Sequence, residues 1–81
     1  MAYLTSYTEN NPYTCQEDGY ARLNVWAAGS TAELYVVIDG KGVKMQSVTY
    51  AGNTAVFIRK NMKLYATITG ESANAVSVGR N

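Results

Sequence analysis

The sequence predicts an all-β fold, a single-domain antiparallel β-sandwich of about seven strands. Hydrophobic and polar side chains alternate along several segments, and this period of two is the spacing of a half-buried strand. The segments are rich in Val, Ile, Thr and Tyr, which fit a pleated surface. Turn residues separate them at intervals of about ten residues, which is typical of a sandwich or a small barrel.

Length and composition agree with one domain over residues 1–81. The chain has 81 residues, and a division into two domains would leave neither part a core. Hydrophobic residues make up 47% of the chain, which argues against disorder. The 7 basic and 6 acidic side chains nearly balance, so the charge predicts neither nucleic acid nor an anionic membrane as a partner.

The N-terminal segment, residues 1–18, has two interpretations. Tyr3, Leu4 and Tyr7 precede a polar loop that ends at Pro12. They form either an arm that latches onto a neighbouring molecule or an ordinary first strand, because chain termini are ordered only where they are tied down. A turn follows, in which Gly19 is the expected turn glycine.

Two strands are predicted in the middle of the chain, at residues 20–28 and 32–39. In the first, Tyr20 and Trp26 share the face opposite to the aliphatic side chains. In the second, Tyr35 lies on the face opposite to the alternating Leu, Val and Ile residues. Each strand therefore has one aliphatic face and one face that carries aromatic rings.

Turn chemistry delimits the later strands. Asp39-Gly40 predicts a hairpin, because glycine accepts the positive φ that tight hairpin turns require. Asn61, the residue type next best suited to positive φ, marks a later turn. The strands predicted here cover residues 44–50, 54–59, 62–69 and 74–80. Residues 55–58 are apolar on both faces and form either a central strand or an interface strand.

The two faces of these strands predict a core and an interface. The expected core is Leu23, Val25, Leu34, Val36, Ile38, Leu64, Ile68, Val76 and Val78. The opposite face carries the predicted interface residues Tyr20, Trp26, Tyr35, Val37 and Tyr65, with Tyr3 and Tyr7 added by the N-terminal segment. Large exposed apolar patches mark interaction sites, and Tyr and Trp are enriched there. The alternative is that the rings stabilise the sheet by cross-strand pairing.

The residue types predict no catalytic residue, no metal site and no cofactor, and hence a protein that is not an enzyme. The chain has no His and one Cys, which excludes His-based triads, an internal disulfide and most transition-metal sites. Cys15 lacks a His to activate it and is expected to be a buried small side chain. Glu17 and Asp18 are adjacent carboxylates, but a turn before Gly19 explains both.

Binding alternatives follow from the aromatic and basic residues. Aromatic rings at Trp26, Tyr20, Tyr35 and Tyr65, with Asn24 and Asp39 as hydrogen-bonding groups, would suit a carbohydrate. The basic residues at 59–63 could contact nucleic acid together with Tyr65, but the balanced charge predicts no such partner, and a solvated turn whose lysines protect a strand edge is the favoured interpretation. No apolar run approaches the roughly 20 residues of a membrane helix. No secretory signal is visible either, so synthesis in a cytoplasm is expected.

The order of these motifs resembles small β-sandwich modules of bacteriophage virions, found in capsid decoration proteins, head fibres and tail-fibre tips. The resemblance spans residues 6–80 and rests on the motifs at 6–8, 12–15, 18–20, 34–40, 56–61 and 64–67. Two departures are Cys15-Gln16, where a proline is expected, and Asn61, where a glycine is usual. The resemblance implies a jelly-roll-like sandwich without catalytic residues, often assembled as a trimer.

Together these features predict a non-enzymatic virion structural protein, made in the bacterial host cytoplasm. It would form a homo-oligomer, which is often a trimer in the modules it resembles, and bind other virion proteins through the predicted interface residues. One alternative is a carbohydrate-binding module for a bacterial surface glycan. Another is a small phage inhibitor of one host protein.

Overall fold

A computed structural model describes residues 1–78 of the chain as two four-stranded antiparallel sheets packed face to face. The eight strands are β1 (Ala2–Tyr3), β2 (Tyr13–Thr14), β3 (Gly19–Val25), β4 (Thr31–Ile38), β5 (Lys41–Thr49), β6 (Gly52–Ile58), β7 (Lys63–Thr69) and β8 (Ala73–Val78). A 3₁₀ turn covers Leu4–Ser6. No helix among the described residues is long and apolar enough to cross a membrane.

The strand order is that of a jelly roll. The first sheet has the order β1-β8-β3-β6 and the second β2-β7-β4-β5. Strand β1 therefore pairs with β8, β2 with β7, β3 with β6 and β4 with β5, as in one long hairpin wound into a sandwich. The predicted all-β, jelly-roll-like sandwich is confirmed. It has eight strands rather than seven, because β1 and β2 are two residues long and too short to show alternation.

The turn predictions are confirmed at two places and wrong at a third. Asp39 and Gly40 have φ values of 52° and 78° and join β4 directly to β5, as a tight hairpin requires. Asn61 has a φ of 76° in the turn before β7. Gly19 is not a turn glycine: it is the first residue of β3 and pairs with Ile58. The preceding turn ends one residue earlier than the sequence indicated.

The core lies between the sheets and contains most of the aliphatic side chains that the alternation indicated. Leu23, Leu34 and Leu64 are completely buried, and Leu4 and Ile58 join them. The core is thin because several inward positions hold alanine. These small inward residues are Ala21, Ala32, Ala66 and Ala75.

Three predicted core residues lie outside the cluster between the sheets. Val76 and Val78 pair with outward-facing Arg22 and Tyr20 of β3, so they belong to the outer face of the first sheet, although Val76 is buried there with 9% of its surface exposed. The inward positions of β8 hold small residues instead, which lets the two sheets approach closely. Ile38 points to the inner side but remains 54% exposed, because it lies at the end of β4 beside the hairpin turn.

The N-terminal segment is built into the sandwich. Tyr3 pairs with Val76 in β8, and Leu4 is completely buried in the core. The ring of Tyr7 packs edge-on against Tyr13, with 5.3 Å between centroids. Residues 1–18 therefore comprise a first strand, a 3₁₀ turn, a loop and β2, and the Tyr3–Tyr7 segment is not a free arm.

Candidate functional site

The aromatic residues of the predicted interface are divided between the two sheets. Tyr20 lies on the outer face of the first sheet, where the alternation of β3 also directs Trp26. Tyr35 and Tyr65 lie opposite each other on the outer face of the second sheet. Since the sheets pack through their inner faces, these two groups lie on opposite sides of the molecule. The four rings proposed for a carbohydrate therefore do not form one platform.

On the second sheet, the two tyrosine rings are engaged with each other. Tyr35 and Tyr65 stack with 4.8 Å between centroids and 4° between planes, and both are half-buried. The hydroxyl of Tyr65 reaches Gly42 of β5, where a side chain would collide with it. Burial, followed by the charge of Glu9, raises the pKa of the Tyr65 phenol. This pair matches the cross-strand alternative that the sequence left open.

Polar side chains complete the outer face of the second sheet. Lys44 Nζ lies 2.8 Å from Glu33 Oε2, and the hydroxyls of Ser47 and Tyr35 donate to the Glu33 carboxylate at 3.3 Å. The hydrogen bond from Lys44 is the largest cause that holds the pKa of Glu33 below its usual value. The same ion pair raises the pKa of Lys44. The carboxylate is thus already occupied by neighbours within its own sheet.

We expect Lys44→Gln to raise the pKa of Glu33 towards its ordinary value, because the substitution removes the main partner of the charged form. The lowered folded-state pKa stabilises the protein at pH values above the unfolded-state pKa of Glu33. That contribution disappears as the pH falls through the folded-state pKa. NMR titration of the Glu33 carboxyl measures the shift. Lys41→Gln removes the same charge elsewhere on β5 and should leave the titration nearly unchanged.

The outer face of the first sheet carries exposed aromatic rings. Tyr3, Trp26, Phe57 and Tyr20 are 56%, 56%, 50% and 43% exposed, and we call these four residues the aromatic face. Tyr20 and Phe57 are cross-strand neighbours in edge-to-face contact, with 5.8 Å between centroids. The guanidinium carbon of Arg59 lies over the Phe57 ring, 5.6 Å from its centroid. This side of the molecule thus exposes large rings together with Arg22 and Arg59, whereas the rings on the outer face of the second sheet are stacked on each other beside an ion pair.

Val76 and Val78 lie beside two rings of the aromatic face, those of Tyr3 and Tyr20. Val76 lies between Tyr3 on one neighbouring strand and Arg22 on the other, and Val78 pairs with Tyr20. The sequence had assigned both valines to the core. Their outward position places aliphatic side chains between Tyr3 and Tyr20, although Val76 is only 9% exposed.

Phe57 is the interface candidate that the sequence prediction missed. Residues 55–58 are apolar on both faces, so alternation gave no sign of which side chains point outward. In the structure β6 is an edge strand and not a central one, with Phe57 outward and Ile58 buried. The pairing of β6 with β3 shows which side chains of β6 face outward, and the sequence alone does not contain that pairing.

The basic turn at residues 59–63 is held by the loop before β3. The backbone N–H of Lys60 donates to Asp18 Oδ1 at 2.9 Å, and that of Asn61 to the Cys15 carbonyl at 2.8 Å. Asp18 thus has a structural partner. Burial raises the pKa of the Cys15 thiol, which disfavours the nucleophilic thiolate. The described residues contain no group of three or more His, Cys, Asp or Glu side chains that could hold a metal ion.

An open groove of about 720 Å³ lies at the end of the sandwich that contains the hairpin turn. Asp39 lines it together with Glu9 and Lys63, while Val37 and Met62 form part of its apolar wall. The Glu9 carboxylate accepts a hydrogen bond from the Gly42 N–H at 2.7 Å, so it anchors the loop to β5. The groove is separate from the aromatic face.

No protein-family model matches this chain, and neither a curated protein nor a solved structure matches it.

Proposed function

We propose that this chain is a non-enzymatic structural module of a bacteriophage virion, a capsid decoration or fibre-tip protein, which assembles with copies of itself through the aromatic face. The observation that carries the proposal is the contrast between the two outer sheet faces. On the second sheet, two tyrosine rings stack on each other and two charged side chains form an ion pair. The first sheet instead exposes four large rings. Such a patch is characteristic of a surface that another protein covers.

The energy available from covering the aromatic face is large for so small a domain. An aromatic side chain presents roughly 200 Å², so a ring that is half exposed has about 100 Å² left to bury, worth about 2–3 kcal/mol. The four rings lie on one sheet and bury this surface together. A symmetric homo-oligomer is the commonest means of doing so.

The virion assignment draws on the sequence resemblance to bacteriophage modules and on the type of fold. Jelly rolls occur among viral capsid domains, where rigid sandwiches pack through their faces and edges. They also occur among lectins, so the fold supports a structural module and a carbohydrate-binding module equally. The exposed aromatic face, rather than the fold, favours assembly.

We expect Trp26→Ala to weaken self-assembly by at least about tenfold in dissociation constant, because tryptophan is among the residue types that dominate interface energies. Light scattering over a range of concentrations measures the mass, which should fall towards the 8.8 kDa monomer. Ile38→Ala is the matched control, since Ile38 is equally exposed but lies on the other sheet. A wild-type protein that remains monomeric at every concentration would contradict the proposal.

A carbohydrate-binding module is the second candidate, and one local feature favours it. The Asn24 amide donates to Asn74 Oδ1 at 2.9 Å on the same face as the exposed Trp26 ring. An aromatic ring beside amide groups offers stacking and hydrogen bonds to a sugar. Under this alternative Trp26→Ala abolishes glycan binding and leaves the mass in solution unchanged.

A further inference from the structure

The four edges of the two sheets differ in how well they are protected against pairing with another strand. The edge strands β1 and β2 are two residues long and offer almost no backbone to a partner. The edge strand β5 carries Lys41 and Lys44, and its pairing with β4 is interrupted by a bulge at Met45. Short strands, lysines and bulges are the usual means of preventing edge-to-edge association.

The edge strand β6 has none of these features. Its sequence, Gly-Asn-Thr-Ala-Val-Phe-Ile over Gly52–Ile58, contains no charged residue and no proline. It pairs with β3 without a register shift along all seven residues. One side of this strand therefore presents a regular row of backbone groups to the surroundings, in a segment of high β propensity.

We propose that β6 pairs with β6 of a second copy, antiparallel and about a two-fold axis near Ala55, so that two first sheets become one continuous eight-stranded sheet. This inference rests on the proposed self-assembly and specifies how two copies meet. The occupant is a second copy because an antiparallel two-fold contact joins identical edges. One contact then covers the unprotected β6 edge of both copies. A foreign strand would cover one edge only.

The charges near β6 are compatible with this arrangement. Arg22 is the cross-strand neighbour of Ala55, so the two copies of Arg22 would be three strand spacings apart, about 14 Å. That separation exceeds the screening length of about 8 Å at physiological ionic strength. The two copies of Arg59 would lie near opposite ends of the strand pair. No like charges would therefore meet across the new contact.

The pairing would also extend the aromatic face across both copies. Phe57 points outward from β6 and contacts Tyr20 on the adjacent strand. A second β6 beside the first brings another Phe57 and Tyr20 pair onto the same surface. The joint surface is wider than that of one copy, and it provides the platform on which further copies or other virion proteins could pack.

Cysteine cross-linking tests the pairing directly. Ala55→Cys replaces one small exposed residue by another, and it places two thiols near the two-fold axis at a separation that a disulfide can span. The native Cys15 is buried and should not compete. Ser47→Cys on the other long edge strand is the control. We expect Ala55→Cys to form the disulfide dimer at least about tenfold faster than Ser47→Cys, because pairing raises the local thiol concentration.

The mass of the wild-type protein separates this inference from the proposed function. If the wild type assembles but Ala55→Cys forms the dimer no faster than Ser47→Cys, the edge pairing is wrong and assembly through the aromatic face stands. If the wild type stays monomeric and no cross-link forms, both are wrong. Ala55→Lys is a second variant: with an unchanged circular dichroism spectrum, it should lose the dimer, and a retained dimer would overturn the pairing.

Discussion

Leu34→Ala is expected to lower the free energy of unfolding by about 3 kcal/mol, the largest stability effect anticipated for a single substitution in this chain. Leu34 is completely buried in β4, which pairs with β5 on one side and β7 on the other. The core is thin and rich in alanine, so neighbouring side chains have little freedom to fill the cavity. The free energy of unfolding of small domains is roughly 5–10 kcal/mol, so the midpoint of chemical denaturation should fall to a much lower denaturant concentration.

Ile38→Ala is the control for this prediction. Ile38 lies on the same strand and the same inward side as Leu34, but 54% of it is exposed. The same loss of aliphatic atoms should cost less than about 1 kcal/mol there, since little buried surface is removed. Equal losses of unfolding free energy for the two variants would contradict the burial of Leu34 between the two sheets.

Gly70→Ala is expected to cost about 2 kcal/mol, the second large effect. Gly70 has a φ of 81°, a conformation that residues with a side chain adopt only with strain. A Cβ there would also collide with the Ser30 hydroxyl and lie 2.9 Å from the Gly29 carbonyl oxygen. That hydroxyl accepts a hydrogen bond from the Ser72 N–H at 3.0 Å, so the substitution disturbs the connection between β7 and β8.

Gly40→Ala separates the cost of backbone strain at positive φ from the cost of the steric collision at Gly70. Gly40 has a nearly identical φ of 78°, but no atom lies within 4 Å of the Cβ position. Gly40→Ala should therefore lower the free energy of unfolding only by the cost of the backbone strain, about 1 kcal/mol. Thermal or chemical denaturation of both variants gives the difference. A loss at Gly40 as large as that at Gly70 would contradict the role assigned to the contact with Ser30.

Local pattern was sufficient to predict the fold class and most turns. Alternation identified which side of β3 and β4 is buried, and the Asp39-Gly40 turn located the hairpin between β4 and β5. These features depend on interactions between near neighbours along the chain. In β8, alternation also distinguished two faces, but it assigned them the wrong way round. The inward face there holds Ala75 and Ser77, so hydrophobicity indicated the outer one.

The candidate site depended on long-range pairing, which one sequence does not contain. Tyr20 and Tyr35 occupy equivalent outward positions in their strands, yet the chain crosses between sheets after β3 and places them on opposite sides of the molecule. Alternation distinguishes inward from outward positions, but it does not predict which sheet a strand joins. The edge position of β6, and with it the exposure of Phe57, likewise follows only from the strand order.

The fluorescence of Trp26 at increasing protein concentration tests the central claim most directly. Trp26 is the sole tryptophan in the sequence and is 56% exposed on the aromatic face. If the aromatic face is the assembly surface, the emission maximum should move to shorter wavelength as the concentration rises, in step with the mass from light scattering. An emission maximum that stays at the wavelength of a solvated indole while the mass increases beyond that of the dimer paired through β6 would contradict the account, because assembly would then use a surface other than the aromatic face.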